Sequence, residues 1–268
     1  MDVVRRYGEI ISREQRDTIA QRYKRITRAV NSEFWRIDSE TAHSRYVGSY
    51  GRGTAIDTSD IDILVELPRS EYDRFDALKV NGQSRLLQVV KVAIQATYPR
   101  SDIRADGQVI VVDFSDGIKF EVLPAFKQVD WLGNWNGKYD YPDANNGGKW
   151  RSTNPRAEQE AMRRLNDASN GLLFDTCKHM RAIRDTYFAS YHLAGIVIDS
   201  YVYHHIANWH WLRPGEITDN PSGTYEKKLF NECPVWSFAL TAPGSGDTVD
   251  TTRDVDCLNK VLKYMSKE

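Results

Sequence analysis

The 268-residue sequence predicts an α+β protein of two lobes: a mixed-sheet lobe with an N-terminal helix over residues 1–150, and a helical lobe over 151–268. Three observations carry this. Residues 60–65, Asp-Ile-Asp-Ile-Leu-Val, read as a buried strand entered through two carboxylates. Residues 109–114 and 118–124 are apolar runs separated by the turn signal Ser115-Asp116-Gly117, so they read as a hairpin. Beyond Asn154-Pro155 the pattern changes to successive helical periodicities, with Pro at or near the first helical position.

Taken in order, Ser12 to about Phe34 reads as a long helix. Ser12 and Gln15 have capping-box spacing, and Ile19, Tyr23, Ile26 and Val30 form its apolar stripe. The stretch Gly48-Ser49-Tyr50-Gly51-Arg52-Gly53-Thr54 reads as a flexible turn leading through Ser59 into the 60–65 strand, which Pro68 ends. Residues 84–97 form a second amphipathic helix that Tyr98-Pro99 terminates. Residues 133–149 are too long and polar for an ordinary connection and read as a lid-like loop. Helices are expected over 157–166, 172–187, 190–209 and about 252–265, with loops at 213–223 and 241–248.

Composition bounds the function. Hydrophobic residues at 41% and charged residues at 27% suit an ordinary globular protein. A net charge of −1 disfavours a wholesale basic nucleic-acid binder, while leaving room for a local basic groove. The three cysteines, 177, 233 and 257, have no C-x-x-C spacing, which suggests a reducing compartment. With no apolar region behind the N-terminus and no membrane-length run, the expectation is a cytoplasmic protein without a membrane partner.

The chemistry concentrates around the first strand. Asp60 and Asp62 are two apart, so both point to one side of a strand. Paired carboxylates beside a Gly/Ser turn make a divalent-metal site with a phosphate cradle, and hard oxygen ligands suit Mg²⁺. Within 118–124, Ile118, Phe120 and Val122 share one face, and Lys119, Glu121 and Leu123 the other. A carboxylate in the middle of such a strand is costly unless paired or metal-bound, which makes Glu121 a candidate third ligand. Asp113 on the neighbouring strand is its rival. Arg45, Arg52 and Arg104 are read as surface charges, with contact to a phosphate-bearing ligand as the competing reading. His204, His205, His210 and Cys233 are read as packed or surface residues, since adjacent histidines on a helix diverge.

Gly48-Ser49 followed by Asp60-x-Asp62 resembles the nucleotidyltransferase superfamily that includes DNA polymerase β. Further stretches narrow the likeness: Phe120-Glu121-Val122-Leu123-Pro124, Tyr141-Pro142-Asp143 with Gly147-Gly148-Lys149-Trp150, Ser152-Thr153-Asn154-Pro155, and Lys178 with Ser190-Tyr191. Together, over roughly residues 10–210, they resemble the CD-NTases, bacterial relatives of cyclic GMP-AMP synthase and oligoadenylate synthetase in anti-phage CBASS systems. The third carboxylate is commonly Asp in that family; here it is Glu.

The resemblance implies a polymerase β-like fold and a second-messenger synthase. It would join nucleoside triphosphates, ATP and another such as GTP or UTP, into a cyclic di- or trinucleotide by two-metal phosphoryl transfer, using two Mg²⁺ ions, with Mn²⁺ as a substitute. It implies that Gly48 and Ser49 hold the donor triphosphate, Asp60, Asp62 and Glu121 bind metal, Lys178 and Ser190 contact the triphosphate, and Tyr191 stacks on a base. A downstream effector would respond to the product, accessory proteins could assist, and no stable nucleic-acid partner is expected. The competing readings are a transferase acting on RNA or protein, and a nucleotide-binding regulator on the same fold.

Overall fold

The computed structural model describes residues 3–58, 60–78 and 80–267, with the backbone alone at Asn146. Ser59, the residue before the paired carboxylates, lies outside the described residues. The chain divides into two compact units. One, the sheet unit, comprises 11–51 and 60–155; the other, the helical unit, comprises 3–10, 52–58 and 156–267. The division therefore differs from a single break near residue 150. Residues 3–10 and 52–58 group with the helices, and 151–153 complete a strand of the sheet.

In the sheet unit, α1 (Arg13–Val30) starts at the expected capping box. The Gln15 N–H donates to Ser12 Oγ and the Ser12 N–H to Gln15 Oε1, both at 3.2 Å. Its last turn widens into a π turn over Asn31–Trp35, closed by Arg36 in the left-handed region. Then come β1 (Ser44–Tyr46), a short helix α2 (Gly48–Arg52) and β2 (Ile61–Glu66). The Gly-Ser segment is thus the opening turn of a short helix, not a flexible loop. After α3 (Arg69–Asp76) and α4 (Gly82–Thr97) follow β3 (Asp102–Asp106), β4 (Val109–Asp113), β5 (Lys119–Val129), β6 (Trp135–Asp143) and β7 (Lys149–Thr153).

These strands form one seven-stranded sheet ordered β1-β2-β5-β4-β3, with β6 and β7 continuing from β5. Only the β2–β5 pairing is parallel; the others are antiparallel. The lid-like loop expected over 133–149 is instead β6, a single 3-10 turn over Asn145–Gly147 and the start of β7. Tyr139 and Tyr141 sit in ladders on that strand, and its Gly, Asn and Asp content disguised the period of two.

The pleat sorts the residues of β2 and β5. Ile61, Ile63 and Val65, with Phe120 and Val122, join Ile19, Ile26 and Val30 of α1 and Leu86, Val90 and Ile94 of α4 in one buried core. The alternate residue Leu64 packs on the other face with Val47, Ala125 and Tyr139. That second face, which also carries Asp62 and Glu121, is where the polar residues gather.

The helical unit contains α5 (Pro155–Ala168, from Arg156 on), α6 (Leu172–Tyr187), α7 (Gly195–His205), α8 (Thr224–Asn231) and α9 (Val255–Ser266), with a two-strand ribbon β8 (Leu240–Thr241) and β9 (Thr248–Val249). Its core joins Leu173, Cys177 and Met180 to Val197, Tyr201, Leu229, Leu258 and Leu262. The helix expected from Ser190 begins only at Gly195. The Arg184 and Arg181 side chains donate to the carbonyls of Leu193 (2.9 Å) and Gly195 (3.0 Å), and Asp254 accepts the Ala194 N–H, which holds this segment out of the helix. None of the described helices is long and apolar enough to cross a membrane.

Candidate active site

The site is built on the polar face of the sheet unit. β2 and β5 run parallel with Asp62 opposite Glu121 and Leu64 opposite Leu123. Residues opposed in a ladder share a face, so the Asp62 and Glu121 carboxylates emerge side by side. Asp60 stands one residue before β2, two from Asp62, and joins the same face.

α2 is tied to this strand at the same point. The Val47 N–H donates to the Asp62 carbonyl at 2.9 Å, and Gly51 N–H closes the first turn on Val47. Gly48 has φ +57, and a Cβ placed there would lie 1.8 Å from Asp62 Oδ2 and 2.8 Å from Asp62 Cβ. Glycine is therefore needed twice: for the left-handed backbone and for the approach of the Gly48-Ser49 turn to the carboxylate. Behind the turn, the Tyr50 ring lies 4.8 Å from Tyr46, which stacks on Tyr23 of α1 at 4.3 Å. Burial raises the Tyr46 and Tyr50 hydroxyls above the usual tyrosine range, so both are neutral packing groups.

Between the carboxylates sits an ammonium. Lys119 Nζ is 2.6 Å from Asp60 Oδ2 and 3.1 Å from Glu121 Oε1. Burial opposes its charge, but the hydrogen bonds to Asp60 and Glu121 outweigh that and raise its pKa, so it remains protonated. Among the described residues no three His, Cys, Asp or Glu side chains are already drawn together as a metal cluster. The cation among these carboxylates is the lysine. The donor set is nonetheless one that suits Mg²⁺: carboxylate oxygens on adjacent strand ends, partly open to solvent.

Of the two rivals for third carboxylate, Glu121 is the one in register with Asp62. Asp113 stands one strand further out, opposite Lys119, and is paired with Arg104. The other expected residues belong to the helical unit. Lys178, within α6, donates from Nζ to the Gly8 carbonyl at 3.1 Å, and burial lowers its pKa. Ser190 and Tyr191 lie in the segment before α7, both exposed, with the Lys260 ammonium 4.6 Å from the centre of the Tyr191 ring.

Sequence reasoning misplaced Arg52. It is no surface charge: its guanidinium is buried, donating to Asp199 at 2.8 Å and to Glu158 at 3.0 Å, while Arg181 holds the other Asp199 oxygen at 2.7 Å. Lys119 was recognised as sharing a face with Glu121, but its role between two acids was missed; the strand alternation contained that signal.

A family model for the Second Messenger Oligonucleotide or Dinucleotide Synthetase domain matches residues 9–166, more than half of the chain. The chain belongs to this synthetase family. Its members' activity, nucleotidyl transfer that produces an oligonucleotide second messenger, is accordingly its function, and the CD-NTase likeness read from the motifs holds. Solved structures extend the comparison to the synthetase's second unit. A CdnE cyclic dinucleotide synthase from Elizabethkingia meningoseptica, determined with GTP and Apcpp, matches at TM-score 0.60 and 15% identity, covering 95% of this chain and 90% of that one. A STING-associated CdnE c-di-GMP synthase from Capnocytophaga granulosa matches at TM-score 0.62 and 12% identity, covering 93% and 80%. The Vibrio cholerae DncV cyclic AMP-GMP synthase matches at TM-score 0.59 and 14% identity, covering 83% and 61%. At such identities the likeness speaks for the α+β nucleotidyltransferase fold. None of the curated proteins matches the synthetase.

Proposed function

We propose that this synthetase joins nucleoside triphosphates, ATP with a second such as GTP or UTP, into a cyclic di- or trinucleotide that signals phage infection to a downstream effector in the bacterial cytoplasm. The observation that carries the reading is the group of carboxylates on one sheet face, Asp62 in register with Glu121 and Asp60 beside them, with the Gly48-Ser49 turn packed against Asp62.

Asp60, Asp62 and Glu121 would hold Mg²⁺ or Mn²⁺. Bound there, the ions would neutralise the triphosphate and make the attacking ribose hydroxyl more acidic. The chain's own part is positioning. With no side chain at Gly48, the segment packs directly against Asp62, and Ser49 would offer its hydroxyl and backbone N–H to phosphate oxygens beside that carboxylate. Glu121 would take the proton of the attacking hydroxyl. That oxygen bonds to the α-phosphorus of the second nucleotide, the bond to the α–β bridging oxygen breaks, and pyrophosphate leaves with the electron pair. A second such bond closes the ring.

Two relatives support the wider setting. The Rhodothermus marinus CdnE c-UMP-AMP synthase was determined with Apcpp and Upnpp, and an Escherichia coli CdnC in complex with HORMA. They favour a mixed pair of triphosphates and an accessory protein as partners.

The test is incubation with all four ribonucleoside triphosphates and Mg²⁺, with Mn²⁺ in parallel, followed by phosphatase and mass analysis, beside Asp60→Asn and Asp62→Asn. A phosphatase-resistant product absent from both variants is expected. Labelled nucleotide appearing on added RNA or protein, with no free product, would replace this reading with a macromolecular transferase.

A further inference from the structure

We infer that Lys119 is a resident counter-cation that holds the place of a divalent ion, so that metal loading is an exchange in which its ammonium withdraws. The inference rests on the metal-site reading above and adds a residue to it.

The geometry is specific. Lys119 and Glu121 alternate on β5, so the period of two puts both on the face that carries Asp60 and Asp62. The lysine joins acids from two strands, reaching Asp60 Oδ2 at 2.6 Å and Glu121 Oε1 at 3.1 Å. An ion that drew these oxygens to the ~2.0–2.1 Å of Mg²⁺ coordination would occupy the space of the ammonium. The two positive charges would lie within about 4 Å of each other, where they repel. The neighbouring basic side chains are engaged elsewhere, Arg104 on Asp113 and Arg22 on Asp116 at 2.7 Å. Lys119 is 28% exposed on a flexible four-carbon stem, so it has solvent to swing into.

Two properties follow. Without metal, the lysine relieves repulsion among clustered carboxylates. With metal alone, it competes, so binding is weak until a metal–triphosphate complex, which brings its own negative charge, arrives.

The experiment measures Mn²⁺ binding by the loss of free-ion paramagnetic resonance signal, without nucleotide, on the full chain and on Lys119→Met, Lys119→Gln, Lys119→Arg and Asp62→Asn. Lys119→Met and Lys119→Gln are expected to bind Mn²⁺ roughly three- to tenfold more tightly, the scale of two partly exposed ion pairs. Lys119→Arg, which keeps the charge, should stay near wild type. In chelator the two neutral variants should melt below wild type and gain more from added Mn²⁺. Unchanged or weaker Mn²⁺ binding by both neutral variants, with Asp62→Asn impaired, would overturn the exchange and leave the metal site standing. Binding by Asp62→Asn equal to wild type would remove the metal site itself, and the exchange with it.

Discussion

Substituting Gly48 by Ala tests the packing on which the site depends. An added Cβ would lie 1.8 Å from Asp62 Oδ2 and 2.5 Å from Cγ. Restoring contact near 3.4 Å requires the carboxylate to move by about 1.6 Å. Holding Ala in the left-handed region costs roughly 1–2 kcal/mol. Driving Asp62 off its rotamer adds about 0.5–1.5 kcal/mol. The sum, about 1.5–3.5 kcal/mol, corresponds to a fall in Tm of roughly 3–7 °C for a chain of this size. The functional effect is larger, since a displacement near 1 Å in a reacting constellation costs about 100-fold in rate. Gly133→Ala is the matched control: Gly133 also has positive φ, +83, but an added Cβ there meets nothing within 4 Å. Thermal melts and pyrophosphate release should show both variants destabilised, with kcat/KM lost only in Gly48→Ala. Activity of Gly48→Ala within about threefold of Gly133→Ala would refute the packing argument.

Other predictions concern stability and reactivity. Asp199→Asn leaves the buried Arg181 and Arg52 without their shared carboxylate and should cost about 3–5 kcal/mol in denaturant unfolding. Burial works to raise the Asp199 pKa, but Arg181 and Arg52 outweigh it and hold it at about 2. A depressed folded pKa means the stabilisation is full above the unfolded value near ~3.9 and is lost as pH falls toward 2. The gap in stability between wild type and Asp199→Asn should therefore hold down to about pH 4 and shrink below it; a gap that narrows already between about pH 7 and 5 would contradict this assignment. Burial pushes the thiols up, to about 12 at Cys233, about 11 at Cys257, and well above the ordinary value at Cys177. Iodoacetamide at neutral pH should leave all three unlabelled by mass in the folded chain and modify all three in denaturant. Phe120→Ala, at a fully buried core position of β5, should cost about 3–5 kcal/mol in the same unfolding assay.

Local chemistry was legible in the sequence. The Ser12–Gln15 cap, the limits of α6 and the start of α5 at Pro155 were written in residues a few positions apart. So was the shared face of Asp60 and Asp62, because a strand's period needs no partner to be read. Features set by distant partners were not. Nothing near Arg52 announces Asp199, 147 residues on, so a buried anchor read as surface charge. The Ser190–Ala194 segment continues a pattern that suits a helix, but Arg184 of α6 bonds the Leu193 carbonyl, Arg181 bonds that of Gly195 where α7 begins, and the segment is held apart. β6 was hidden because Asn136, Gly137 and Asp140 are turn-formers, and the ladder partners that its other residues find on β5 and β7 override that preference. That Glu121 stands opposite Asp62, with Asp113 one strand further out, follows from the parallel register of β2 and β5, a long-range pairing that alternation alone does not specify.

That pairing also sets when the site comes into being. β2 ends at Glu66 and β5 begins at Lys119, with α3, α4, β3 and β4 between them. β4 and β5 can zip as a local hairpin around Ser115-Asp116-Gly117, whereas β2 must be reached across that whole intervening chain, a slower closure. A nascent or half-folded polypeptide therefore carries its acids as two separated halves, Asp60 and Asp62 on one strand and Glu121 on another. On the proposed reading, the three acids meet only when β5 slots between β4 and β2, so a partially folded chain lacks the assembled site.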